Sequence, residues 1–103
     1  MAFNGDEGGL IPLQTGIDMT TRYRDAGLNS SQGVFIGSKL LQELLDPESG
    51  AKGIRFYFGL DEEGLLTLVL AGANGDERDL LGKVGNKGCL CPPYSDMSSP
   101  LFQ

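Results

Sequence analysis

The clearest pattern along the chain lies between residues 53 and 71. Ile54, Phe56 and Phe58 alternate with Arg55 and Tyr57, the period of two that marks a strand with one face buried. The segment "LDEEG" at 60–64 then reads as a turn, with Gly64 available for a positive φ. From Leu65 to Ala71 nearly every position is apolar: Leu66, Leu68 and Leu70 fall on one face, and Leu65, Val69 and Ala71 join Thr67 on the other. A strand apolar on both faces needs both faces covered. "NGD" at Asn74 to Asp76 signals a second turn and a third strand near Arg78 to Leu81, which together make an antiparallel meander.

Two helical patterns precede the meander. Ile36, Leu40, Leu41, Leu44 and Leu45 recur at helical spacing until Asp46-Pro47 stops them, and their leucines read as core residues packed on a sheet. Ile17 to Ala26 forms a second, thinner stripe through Ile17, Met19, Tyr23 and Ala26 and ends at Gly27. Thr15 and Asp18 ahead of it resemble a capping box with Asp in place of Glu. The pattern predicts an α+β fold of two helices packed on a small, three-stranded antiparallel meander. The expected division is a flexible, glycine-bearing arm at 1–14, a single α+β domain at 15–87, and a Cys- and Pro-containing tail at 88–103 packed on the domain.

Composition narrows the functional classes. The chain has 103 residues, enough for one core. Fourteen acidic against eight basic residues give a net charge of −6, which repels phosphate backbones and anionic lipid and argues against nucleic acid or membrane as partners. There is no apolar run of about 18 residues to span a bilayer. The start "MAFNGDEGGLIPL" carries Asp6 and Glu7 and no basic residue, the reverse of a signal peptide, so the expected compartment is the cytoplasm. With no histidine, neither a Ser-His-Asp nor a Cys-His arrangement can be built within one protomer. No phosphate-binding glycine loop stands between a strand and a helix.

Two constellations could carry chemistry. Cys89 and Cys91 lie at i and i+2, so in an extended segment their thiols point the same way and suit one metal, whereas a disulfide across a single residue is strained. Zinc held there would need carboxylates, water or a second copy of the chain to complete its shell. The plainer reading is two free thiols in a packed tail, and a thiol redox role is a third. Arg22, Tyr23, Arg24, Arg55 and Tyr57 form the other set, in which an arginine beside a phenol could hold a small anion. Its plainer reading is an arginine paired with a carboxylate on a neighbouring strand. Asp46, Glu48, Asp76, Glu77 and Asp79 share one end of the meander but lack the spacing of a calcium loop and read as solvated turns.

Taken together, "TTRYR" at Thr20 to Arg24, the leucine-rich helix, "GIRFYFGLDEEG" at Gly53 to Gly64, the apolar return strand and "CPP" at Cys91 to Pro93 resemble a group of small uncharacterised bacterial proteins. The resemblance spans about residues 15 to 101 and implies a fold but no reaction. The expected function is a non-enzymatic interaction or structural domain. A small-anion or metal-binding protein, or a thiol-dependent redox enzyme, stands as the alternative. One amphipathic layer for a strand with two apolar faces leaves a face to be covered by the arm, the tail or a second protomer, so the expected partner is another copy of the chain or another protein.

Overall fold

The computed structural model describes residues 2–102. Its element order is helix α1 (Leu13–Ala26), strand β1 (Gly33–Phe35), helix α2 (Ser38–Leu44), a 3-10 turn (Pro47–Ser49), and strands β2 (Gly53–Leu60), β3 (Leu66–Ala73), β4 (Asp79–Gly85) and β5 (Cys89–Cys91). The fold is α+β. β2, β3 and β4 form the expected antiparallel meander in that spatial order. β1 and β5 form a separate two-stranded antiparallel ribbon with Val34 opposite Leu90. That ribbon is absent from the sequence pattern, because three-residue strands among glycines and prolines are too short to show a period.

Turn chemistry joins the strands. Asp61 accepts the N–H groups of Glu63 and Leu65 on one carboxylate oxygen, and Gly64 takes φ 81°. Asn29 pins the loop after α1 to this turn, donating to the Gly64 carbonyl and accepting from Leu66 and Ser31 N–H. Asn74 closes the second turn by accepting from the N–H groups of Asp76 and Arg78.

Register places Ile54, Phe56, Phe58 and Leu60 on the same sheet face as Leu66, Leu68 and Leu70. α2 sits on this face. Its approach is close enough that a methyl on Gly72 would lie 2.8 Å from the Leu44 carbonyl oxygen, and one on Gly85 would lie 2.7 Å from Leu40 Cδ2. The core is correspondingly small: Leu70 is wholly buried and Leu44 is buried on this face, while the buried Ala71 and Ala73 point to the other. A methyl on Gly88 would likewise meet Val34, Ile36 and the Phe35 carbonyl, which places the start of β5 tightly against β1.

α1 begins at Leu13, two residues before the expected cap, so Thr15 stands inside the helix and the first-turn bond runs from Gln14 Nε2 to Asp18. Gly27 ends it in the left-handed region at φ 64°, as expected. None of its residues is buried. Instead it is tethered by its C-terminal half: the Tyr23 hydroxyl donates to the Ser31 carbonyl at 2.6 Å, and Arg24 donates to the Leu101 carbonyl at 2.8 Å.

Candidate functional site

On the sheet face away from α2, Arg55 and Tyr57 stand two residues apart on β2, opposite Ala71 and Val69. Small side chains on β3 let both reach across it to the first residue of β4. Arg55 donates to Asp79 Oδ1 at 2.6 Å, and the Tyr57 hydroxyl donates to Asp79 Oδ2. The guanidinium also donates to the Glu77 carbonyl from both terminal nitrogens, at 3.3 Å. Its carbon lies 5.3 Å from the centre of the Phe3 ring, a cation–π contact made by the N-terminal arm. The arm is held there by the Phe3 N–H, which donates to the Gly75 carbonyl.

A cleft of about 320 Å³ opens beside this cluster, lined by Phe3, Glu7, Lys52 and Arg55 among others. The Tyr57 hydroxyl and then Asp79 raise the Arg55 pKa above its ordinary value, so the guanidinium stays charged at every working pH. Both Asp79 oxygens are engaged, and the charge of Arg55 is matched within the sheet. The arrangement is a clamp across three strands.

Arg22, Tyr23 and Arg24 are not brought to this clamp. Tyr23 and Arg24 line a separate hollow of about 170 Å³ with Met19, Thr20, Gln32 and Leu101. Both make the tethering bonds described above, and Arg24 also donates to Thr21 Oγ1 at 3.2 Å. Arg22 is exposed on the helix surface. The five residues grouped from the sequence therefore occupy two places.

Cys89 and Cys91 are free thiols. β5 does put them on one side of the ribbon, opposite Phe35 and Gly33. Cys91 donates its S–H to the Tyr94 carbonyl at 3.0 Å, while Cys89 is exposed. Among the described residues, no group of three or more Cys, Asp or Glu is placed to hold a metal ion, at these thiols or at the acidic turns. Asp46 serves its own turn, accepting the Glu48 N–H.

The feature that sequence reasoning missed is the outer edge of β2. Spatial order leaves this eight-residue strand paired on one side only, among the described residues. The Asp61 N–H donates to the Leu65 carbonyl, which makes that pair a bonded one. Antiparallel pairing alternates, so residues 59, 57 and 55 bond to β3, and the N–H and C=O groups of Ile54, Phe56, Phe58 and Leu60 face the open side. The same residues carry apolar side chains into water: Phe56 is 47 %, Phe58 81 % and Leu60 67 % exposed. Their alternation was legible as a strand, but its apolar side reads as core. The available signal was topological, since the first strand of a meander is an edge unless something else pairs with it.

No helix is long and apolar enough to cross a membrane among the described residues. No family model, curated protein or solved structure matches the chain.

Proposed function

We propose that this chain is a non-enzymatic interaction domain that associates with a second copy of itself. The observation that carries this reading is the open edge of β2, where unpaired backbone groups and the exposed side chains of Phe56, Phe58 and Leu60 coincide. A flat apolar edge of this length is a template for strand addition, and soluble chains usually blunt such an edge with lysine, proline or a bulge. Here β2 carries no lysine, proline or register shift, and its one charge, Arg55, is paired with Asp79.

The surface area supports the same reading. The chain exposes 7438 Å², whereas a compact monomer of 11.0 kDa exposes about 5,600 Å². Its radius of gyration is 15.1 Å, against about 13 Å for a compact domain of this length. Much apolar surface thus remains for a partner to cover. The Arg55–Tyr57–Asp79 clamp fits a structural role within this domain, since its groups satisfy one another. Light scattering on the full chain at micromolar concentration should report a dimer. A monomer of 11.0 kDa at every concentration would contradict the proposal.

A further inference from the structure

Given the self-association proposed above, on which this step rests, we infer that two copies join by antiparallel addition of β2 to β2 about a two-fold axis at Tyr57. The two three-stranded sheets then become one continuous sheet. The outward backbone groups belong to Ile54, Phe56, Phe58 and Leu60, and this set is symmetric about residue 57. Centring there sets Phe56 opposite the partner's Phe58 and Ile54 opposite the partner's Leu60, each pair exchanging two hydrogen bonds. No outward group on the strand is left without a partner.

Side-chain matching selects the same register. On the apolar face the pairs are aromatic with aromatic and aliphatic with aliphatic, continuous with Leu66, Leu68 and Leu70 of β3. On the opposite face Arg55 meets the partner's Gly59, so no like charges are opposed, and Tyr57 meets the partner's Tyr57 across the axis. A register centred on Phe56 would instead put Lys52 opposite the partner's Leu60. One centred on Phe58 would put Ile54 opposite the partner's Glu62. Lys52 already gives its N–H to the Ala73 carbonyl and Glu62 lies in the turn, so both registers break the pairing that the Tyr57 register keeps. The arm reaches this edge at its start, where a methyl on Gly5 would lie 3.3 Å from the Lys52 carbonyl oxygen and Phe3 and Glu7 share a cleft with Ile54, whereas Phe56, Phe58 and Leu60 stand exposed.

The register is tested by cysteine cross-linking in the full chain with Cys89→Ser and Cys91→Ser. Tyr57→Cys in that background places two thiols across a non-bonded pair with Cα atoms about 4.5 Å apart, inside disulfide range, so mild oxidation should give a covalent dimer that reductant reverses. Gly59→Cys should not cross-link, because its two copies are offset by about 13 Å along the seam. In the unmodified chain, amide exchange at Phe56 and Phe58 should slow at least about tenfold as concentration rises through dimer formation. This second reading decides alone if Tyr57→Cys does not fold. A dimer that cross-links through Gly59→Cys and not Tyr57→Cys, or whose Phe56 and Phe58 amides stay fast, overturns the register while leaving self-association standing. A chain that remains monomeric throughout overturns the reading beneath it.

Discussion

Replacing Gly72 by alanine should destabilise the domain, because β3 and the end of α2 approach too closely there for a methyl group. The added carbon would lie 2.8 Å from the Leu44 carbonyl oxygen and 3.3 Å from Ala51 Cβ. Real Cβ contacts of that kind are longer, and the nearest atom belongs to backbone, which cannot rotate aside. Overpacking of this sort costs about 1–3 kcal/mol, and the entropy that alanine removes from the unfolded chain returns about 0.4–1 kcal/mol. The net loss should be about 1–2 kcal/mol. Gly82→Ala on β4 is the control, since a methyl there meets nothing within 4 Å and only the entropic gain remains. Thermal unfolding at one fixed protomer concentration reads both, because association would otherwise move Tm by mass action. A change of 1 kcal/mol moves Tm by about 4–8 °C in a domain of this size, so the two variants should move in opposite directions and separate by several degrees. Equal melting of Gly72→Ala and Gly82→Ala would refute the seating of α2 on β3.

Leu70→Ala should cost about 2–5 kcal/mol, a large part of any small domain's margin, because Leu70 is the one large side chain wholly buried among the described residues; a loss under about 1 kcal/mol by denaturant titration would be inconsistent with this core. Ending the chain after Gly88 should lower Tm, since β1 loses its only pairing strand among the described residues, Gln32 N–H loses its acceptor on Cys91 and Arg24 its acceptor on Leu101; an unchanged Tm would contradict the ribbon. Glu7 accepts the N–H groups of Asn4 and Gly5, and the Asn4 bond above all lowers its pKa below the ordinary 4.5. A depressed folded value means that the carboxylate's contribution to the arm is full above pH 4.5 and is lost as pH falls through that lower value, so the Asn4 and Gly5 amide shifts should titrate with a midpoint below 4.5, and a midpoint at or above it would count against the fold of the arm.

Long periodic segments were legible in the sequence. The alternation at 54–58, the apolar run after Gly64 and the leucines at 40, 41 and 44 give β2, β3 and α2, each supported by several residues of one period. β4 was placed at its start but runs on to Gly85, because Gly82, Lys83 and Gly85 dilute its pattern. β1 and β5 were hidden, since three residues cannot display a period and their pairing joins positions more than fifty residues apart. Arg55 with Tyr57 was legible as a pair, and a carboxylate partner was expected on a neighbouring strand; Asp79 stands one strand further, on β4, at a register set by the irregularity between Ala71 and Ala73. Arg22, Tyr23 and Arg24 shared a composition with that pair but not a location, because α1 is tethered at the margin and contributes no buried residue to the core. The open edge was the hardest feature to see, as apolar alternation looks the same whether its face is covered by the chain itself or by a partner.

Whether association runs through the β2 edge is decided by sedimentation velocity of the full chain beside Phe58→Lys. Phe58 is 81 % exposed, so its replacement leaves the protomer's own packing nearly untouched and should not shift far-UV circular dichroism. A lysine on an edge strand opposes strand addition, and the two-fold axis doubles its effect. The parent should sediment as a dimer, and Phe58→Lys should raise the dissociation constant at least about tenfold, appearing as a folded monomer at the same concentration. A folded Phe58→Lys chain that dimerises as tightly as the parent would show that the copies meet elsewhere.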